Sequence, residues 1–378
     1  MKILIDCSLL TIGGGVQVAL SLLLNIAKDK QFQSVVVVTH QIDQQLTDSI
    51  KNLFYAYYVL DSVPMYQKYK QAHFFSKLEE KYTPDLVFTV FGPSMWRPKA
   101  PCLQGFALGL MFYPEVQDIL NYSLLKKIKI KIMYFIKRNL FLKNSDYYVV
   151  ETSVVKNNLK NLLNLESNHI FVIENSYNPY FEEYFNRKMS VKISKDEFNF
   201  LVPSSYYPHK NLEILANVVD LLYIKNFKNI YFNFMIEDKY FEALTRLVVN
   251  KNARYMLKNF GPITSSNLPK YYADCDAVIL PTLAESSTSA YPESFISKKP
   301  LLTSDRDFSR GLCGEAALFF DPLDAEDIVN KVITIYQDEK LRVAIVEKGV
   351  DQLSRVYISA EEKWKKQKNL IQNLIDLN

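Results

Sequence analysis

Short apolar runs of strand length alternate along almost the whole chain with segments whose apolar residues recur at helical spacing. In the first half, Lys2–Asp6, Ser34–Thr39, Tyr55–Leu60, Asp85–Val90, Cys102–Ala107, Asp146–Val150 and Ile170–Ile173 read as strands. Val16–Lys28, Met65–Lys81, Leu124–Leu142 and Ser153–Leu163 read as the helices among them. Strands that alternate with helices predict a parallel sheet covered on both faces. A polar stretch from Glu174 to Asp196, with Asn175, Asn178, Pro179 and Asn186 as turn residues, breaks the pattern. The alternation then resumes with Phe198–Val202, a helix from Asn211, Ile230–Met235, a further helix, Ala277–Leu280, a helix from Ser289, and Leu301–Thr303. This second round predicts a second doubly wound α/β domain. The tail, Ala360–Leu377, is helical and expected to return to the first domain. The expected domains are residues 1–178 with 360–378, and residues 179–359.

A length of 378 residues suits two such domains. With 48% hydrophobic and 23% charged residues, the chain has the composition of a globular protein with sizeable cores, not of a disordered one. Cys7, Cys102, Cys275 and Cys313 are far apart and form no metal-type pair, which reads as reduced, buried thiols in a cytosolic protein. The start, Met1 to Cys7, is apolar for only three residues before Asp6 interrupts, and no small-residue cleavage site follows. It reads as a first strand. No apolar run reaches the ~18 residues that a membrane span needs. The net charge of +4 is too small to indicate nucleic acid.

In open α/β sheets, ligands bind beyond the carboxyl ends of the strands. Gly13-Gly14-Gly15, Lys210 and Glu285 each follow a predicted strand directly, and in two facing domains they would border one cleft. Glycines between a strand and a helix let backbone N–H groups approach a phosphate or an acceptor; the alternative is a tight turn without a ligand. Lys210, beside His209 in Ser204-Ser205-Tyr206-Tyr207-Pro208-His209-Lys210-Asn211, suits a diphosphate, with an exposed helix-start lysine as the alternative. Glu285 and Glu293, with seven residues between them, suit a sugar and a ribose. The hydroxyls and N–H groups of Ser287, Thr288 and Ser289 would meet the phosphate between them. Such a set describes an enzyme that uses a nucleotide-activated sugar.

These residues occur in an order that resembles the retaining GT-B glycosyltransferases of family 4. The resemblance rests on Lys210-Asn211, Gly261-Pro262, the strand before Pro281, Glu285 and Glu293, Pro300 with Thr303-Ser304-Asp305, and Gly314-Glu315-Ala316-Ala317…Phe320-Asp321-Pro322. It covers roughly residues 198–335; over the first half the glycine loop and Val172-Ile173-Glu174-Asn175 carry it. It implies sugar transfer from a nucleotide donor with retention of configuration and without a metal or other cofactor. It also implies that Lys210 binds the donor phosphates, Glu285 the sugar hydroxyls and Glu293 the ribose. The loop after a strand at Met256–Phe260, hence Gly261, Pro262 and Ile263, would touch the base. The chain departs from the family at three points. Ser205 stands near the phosphates where an arginine is usual, Ser287-Thr288-Ser289-Ala290 replaces the common Phe-Gly-Leu-Pro, and Gln104 to Gly109 contains no histidine. These departures resemble a subgroup that makes bacterial surface polysaccharides of the O-antigen, capsule or lipopolysaccharide type.

Lys126 to Arg138 joins many cations to many apolar residues. A basic amphipathic helix suits an anionic membrane surface, and a domain helix with one buried and one solvated face is the alternative. RNA binding by base stacking would need aromatics on an exposed sheet face, which a helix does not offer. Trp96 and Tyr113 are expected in loops of the first domain as acceptor contacts. The expected protein is thus a peripheral enzyme on the cytoplasmic face, passing a sugar to a glycan or lipid-linked acceptor. The alternatives are a nucleotide-sugar epimerase on the same fold and a non-catalytic nucleotide-sugar-binding scaffold.

Overall fold

The structure is a computed structural model that describes residues 1–11, 13–61, 68–187 and 197–377. The chain divides into two units. The first comprises Met1–Gln117, Asn121–Glu174 and Ala360–Asn378, the second Asp118–Leu120 and Asn175–Ser359.

The first unit is built on seven strands: β1 (Lys2–Asp6), β2 (Gln33–Thr39), β3 (Ala56–Leu60), β4 (Leu86–Thr89), β5 (Cys102–Gly105), β6 (Tyr147–Val150) and β7 (Ile170–Val172). All pair in parallel, in the order β3-β2-β1-β4-β5-β6-β7. Residues along β1 alternate between two apolar layers. Ile3 and Ile5 join one buried cluster and Leu4 the other, which is why this strand reads as an unbroken apolar run. The C-terminal helix Ala360–Asp376 belongs to this unit. Its Trp364 ring stands edge-on to Phe32 at 5.8 Å, and Lys368 pairs with Asp29 at 2.7 Å.

The second unit has six strands: β8 (Phe198–Val202), β9 (Ile230–Phe234), β10 (Leu257–Asn259), β11 (Ala277–Leu280), β12 (Leu301–Ser304) and β13 (Leu318–Phe320). They are again all parallel, in the order β10-β9-β8-β11-β12-β13. The alternation recurs here: Phe198, Phe200 and Val202 face one cluster and Leu201 the other. Each sheet therefore has one point at which the strand order reverses, between β1 and β4 in the first unit and between β8 and β11 in the second. Loops leaving the carboxyl ends of those strands diverge and leave a crevice there.

Two expectations need correction, and two more fall partly outside the described residues. The stretch taken as a polar break contains a helix, Pro179–Arg187, in which Asn186 is a helical residue. Asn178 caps it by accepting from Tyr180 N at 3.1 Å, and burial of Phe181 anchors it to the core. Its polar composition is that of its solvent face. The helix expected from Asn211 starts at Ile214, because Asn211 adopts a left-handed conformation (φ 55) that ends the 3-10 turn Pro208–Lys210. Lys210 therefore closes a turn and does not open a helix. The helix expected from Met65 is described from Lys68 onward; Met65 to Gln67, and residue 188 to Asp196 of the polar stretch, lie outside the described residues.

Candidate functional site

The two loops that meet at the reversal point of the second unit are tied together through one carbonyl. His209 O accepts from Leu283 N at 2.8 Å. The loop after β8 is held from its other side as well. Tyr206 stacks on Tyr240 with centroids 4.3 Å apart and donates to Glu213, and Asn211 Nδ2 donates to Pro322 O at 2.7 Å. A backbone anchored at both ends fixes where Lys210 starts.

Lys210 Nζ forms an ion pair with Glu285 Oε1, and Thr282 Oγ1 donates to the same carboxylate oxygen at 3.1 Å. Both members are largely enclosed, with side-chain exposures of 17% and 10%. Interactions between charges strengthen as water is excluded, so this pair is stiffer than one on an open surface. His209 is beside it, stacked on Tyr207 at 5.7 Å. Burial and the neighbouring Lys210 hold its imidazole below the usual histidine range, against a smaller upward pull from Glu285. It therefore meets a ligand at neutral pH as an uncharged ring, and Lys210 supplies the positive charge.

Glu293 is placed differently. It sits on the short helix Ala290–Ile296 with 3% of its surface exposed and accepts from Tyr272 Oη at 3.2 Å. Burial pushes its carboxyl up to about 7, against the opposing hydrogen bonds of Ser289 and Tyr272. Between the two glutamates, Ser287 Oγ accepts from Asn175 Nδ2 at 3.0 Å, and Thr288 Oγ1 accepts from Ala290 N at 3.3 Å. Ser205 is exposed beyond β8. Gly261, Pro262 and Ile263 follow β10, two strands from β8. Gly261 has φ 72, a conformation that side chains with a Cβ rarely adopt, and Ile263 packs on the cluster that contains Tyr272.

Gly13, Gly14 and Gly15 lie in the first unit, where the connection from β1 enters the helix Gly14–Ile26. Gly13 has φ 71, and the helix Gly14–Ile26 begins with no side-chain cap and no acidic residue in its first turn. Just before this loop, Asp6 is buried and accepts from Ser8 N and Ser8 Oγ at 2.9 and 2.6 Å, which closes the end of β1.

Trp96 and Tyr113 are in loops of the first unit, as expected, but both are buried. Trp96 is 5% exposed and stacks on Phe75 at 5.5 Å, and Tyr113 is 8% exposed. Their aromatic area is spent in the core. The four cysteines are free and buried. Sequence reasoning missed Thr282 and Tyr272. Thr282 is flagged only by following the strand that leads to Glu285; nothing local marks Tyr272, whose partner is in another helix.

Residues 184–352 match the family model of glycosyl transferases group 1. No curated protein sequence matches the chain. Among solved structures, sucrose-phosphate synthase from Thermosynechococcus elongatus superposes with a TM-score of 0.73 at 13% identity, covering 100% of this chain and 99% of that one. WaaG, a glycosyltransferase involved in lipopolysaccharide biosynthesis, gives 0.72 at 12% identity over 98% and 99%. Anabaena Alr3699/HepE, in complex with UDP and glucose, gives 0.70 at 12% identity over 99% and 100%. Two all-parallel α/β units and these neighbours define the GT-B fold. Within it, the stretch of the second unit that matches the glycosyl transferases group 1 model contains Lys210, Glu285 and Glu293.

Proposed function

We propose that the chain is a retaining glycosyltransferase that moves a sugar from a nucleoside-diphosphate sugar to a glycan or lipid-linked acceptor in surface-polysaccharide synthesis. The observation that carries this reading is the Lys210–Glu285 pair, enclosed at the reversal point of the second sheet. There a diphosphate can draw on the ammonium while the freed carboxylate accepts from sugar hydroxyls. HepE, solved with UDP-glucose, and WaaG, described as acting in lipopolysaccharide biosynthesis, support the donor class and the setting.

In the reaction, the bond from the anomeric carbon to the diphosphate oxygen breaks and its electron pair leaves with the diphosphate, stabilised by Lys210. The acceptor oxygen bonds to the same face of that carbon, and its proton passes to the departing phosphate oxygen. No metal takes part in this scheme.

The reading includes a place of work. Apart from Met133, the exposed large apolar residues of the helix Leu124–Asn144 are Leu124, Leu125, Ile128, Ile132, Phe135 and Ile136. At 3.6 residues per turn these fall within an arc of about 120°. Tyr134 and Phe141 lie on the opposite side, in contact with the core. Lys126, Lys129 and Lys131 are exposed, and the helix contains no acidic residue. An apolar stripe set among cations fits an anionic membrane surface. Among the described residues no helix is long and apolar enough to cross a membrane.

The test is to incubate the protein with UDP-glucose and other nucleotide sugars, each with a bacterial lipid-linked glycan fraction and with or without chelator. The reading expects a chelator-insensitive, glycosylated product whose anomeric configuration, read by NMR, matches the donor. Donor turnover without an acceptor product, or no turnover of any donor, contradicts it.

A further inference from the structure

The scheme above leaves His209, the side chain next to the Lys210–Glu285 pair, without a task. It lies in the 3-10 turn Pro208–Lys210, and its backbone is fixed from two directions. Its carbonyl accepts from Leu283 N at 2.8 Å; within the turn, Lys210 N donates to Tyr207 O at 2.9 Å and Asn211 N to Pro208 O at 3.1 Å. Its ring lies nearly parallel to that of Tyr207, with 5.7 Å between centroids and 19° between planes. A histidine kept for structure spends its ring nitrogens on partners. Neither nitrogen of His209 has a hydrogen-bond partner among the described residues, and neither is sealed from solvent. The ring is thus held in place, half-buried, with its donor and acceptor free to meet a ligand.

Charge decides which ligand suits it. Two charged side chains act on the imidazole: Lys210 from its own turn and Glu285 from the loop after β11. These two neutralise each other as an ion pair. Together with an uncharged His209 they carry no net charge. A nucleotide sugar brings about two negative charges on its diphosphate. One ammonium, already shared with a carboxylate, compensates these poorly where water is partly excluded. An imidazole in the same turn can change its charge near neutral pH. An anion close to it favours the protonated ring and so opposes the effects of burial and Lys210.

Resting on the donor reading above, we propose that His209 is a proton-linked ligand of the donor diphosphate: it takes up a proton as the nucleotide sugar binds and, as imidazolium, donates to a phosphate oxygen beside Lys210. The proton comes from solvent, stays on the ring during transfer and returns to solvent when the diphosphate leaves. The acceptor's proton still passes to the departing phosphate oxygen, so the balance of the transfer step is unchanged. Because uptake accompanies binding, donor affinity falls as pH rises through the interval in which the free ring is neutral and the bound ring charged.

The experiment is calorimetric titration of a nucleotide sugar in buffers of different ionisation enthalpy. The probe is whichever of UDP-glucose, GDP-glucose and ADP-glucose the wild type binds best. Unlike a free nucleoside diphosphate, it has no terminal phosphate titrating near pH ~6. At pH 6.5 the wild type should take up roughly half a proton or more, and His209→Gln, which keeps a neutral donor, should take up almost none. Affinities of the two proteins should differ about tenfold at pH 6 and converge by pH 8. Glu293 is present in both, so the difference between them belongs to His209. If His209→Gln does not fold, NMR of the wild type serves: one of its four histidines should titrate below the usual range alone and higher with the nucleotide sugar. Binding without proton uptake, equal uptake by both proteins, or four histidine titrations unmoved by the ligand overturns the role of His209 and leaves the donor reading standing. A wild type that binds none of the three nucleotide sugars overturns the donor reading, and this inference with it.

Discussion

Glu285 and Lys210, 75 residues apart in sequence, form one enclosed ion pair, and Thr282 Oγ1 donates to the same carboxylate oxygen at 3.1 Å. The two loops that carry them are further joined through the carbonyl of His209. Removing one partner leaves the other enclosed and uncompensated, which costs more than removing both. Lys210→Ala and Glu285→Ala should each lower stability by about 1–3 kcal/mol, and the double variant should lose less than the sum. Urea unfolding of the three variants gives the coupling; strict additivity would mean that the pair does not hold the loops.

Glu293 gives the protein a pH dependence whose sign can be stated. Burial raises its carboxyl from an ordinary 4.5 to about 7. The folded state thus holds this proton more tightly than the unfolded chain. Its contribution to stability is fully present below about 4.5 and is lost as pH rises to about 7. Glu293→Gln should therefore match wild type near pH 4.5 and exceed it by on the order of 3 kcal/mol at pH 8. Thermal melts from pH 5 to 8 read this effect, and a pH-independent difference between the two proteins would remove the titration of Glu293 as the cause.

Much of this arrangement was legible in the sequence. β1 and β8 are apolar runs bounded by polar residues and buried on both faces, and their expected limits agree with those found. β10 and β13 are three-residue strands at the two edges of the second sheet, too short for a periodic signal. Leu257–Asn259 was reached only through resemblance, and Leu318–Phe320 was not reached. The helix Pro179–Arg187 was hidden because it is short and preceded by turn residues, while its anchoring by Phe181 depends on distant residues. The same holds for the site. A lysine and two glutamates after predicted strands could be named from their neighbours. The Tyr272 partner of Glu293, and the burial of Trp96 and Tyr113, arise from packing between elements that no local pattern encodes.

Gly261 isolates a purely conformational effect. Its φ is 72, and a Cβ added there meets no atom within 4 Å. Gly261→Ala should cost about 1 kcal/mol through backbone strain alone. Chemical denaturation checks this; an unchanged midpoint would mean that the turn relaxes freely.

On the helix Leu124–Asn144, Ile132 and Phe135 are 56% and 64% exposed. Replacing both with Glu should leave the melting temperature within a degree or two, because no core contact is lost. It should also weaken sedimentation with vesicles containing anionic lipid, while neutral vesicles should bind neither protein well. Equal binding by both proteins would show that this stripe is not the membrane contact.

The most direct test of the account is calorimetric titration of UDP, GDP, dTDP, ADP and CMP into wild type, Lys210→Ala and Glu285→Gln. The account predicts that one nucleoside diphosphate binds and that Lys210→Ala weakens it roughly 10- to 100-fold. Glu285→Gln should retain that nucleotide while losing sugar transfer. Equal affinity of wild type and Lys210→Ala for every nucleotide would contradict the placement of the donor phosphates at Lys210.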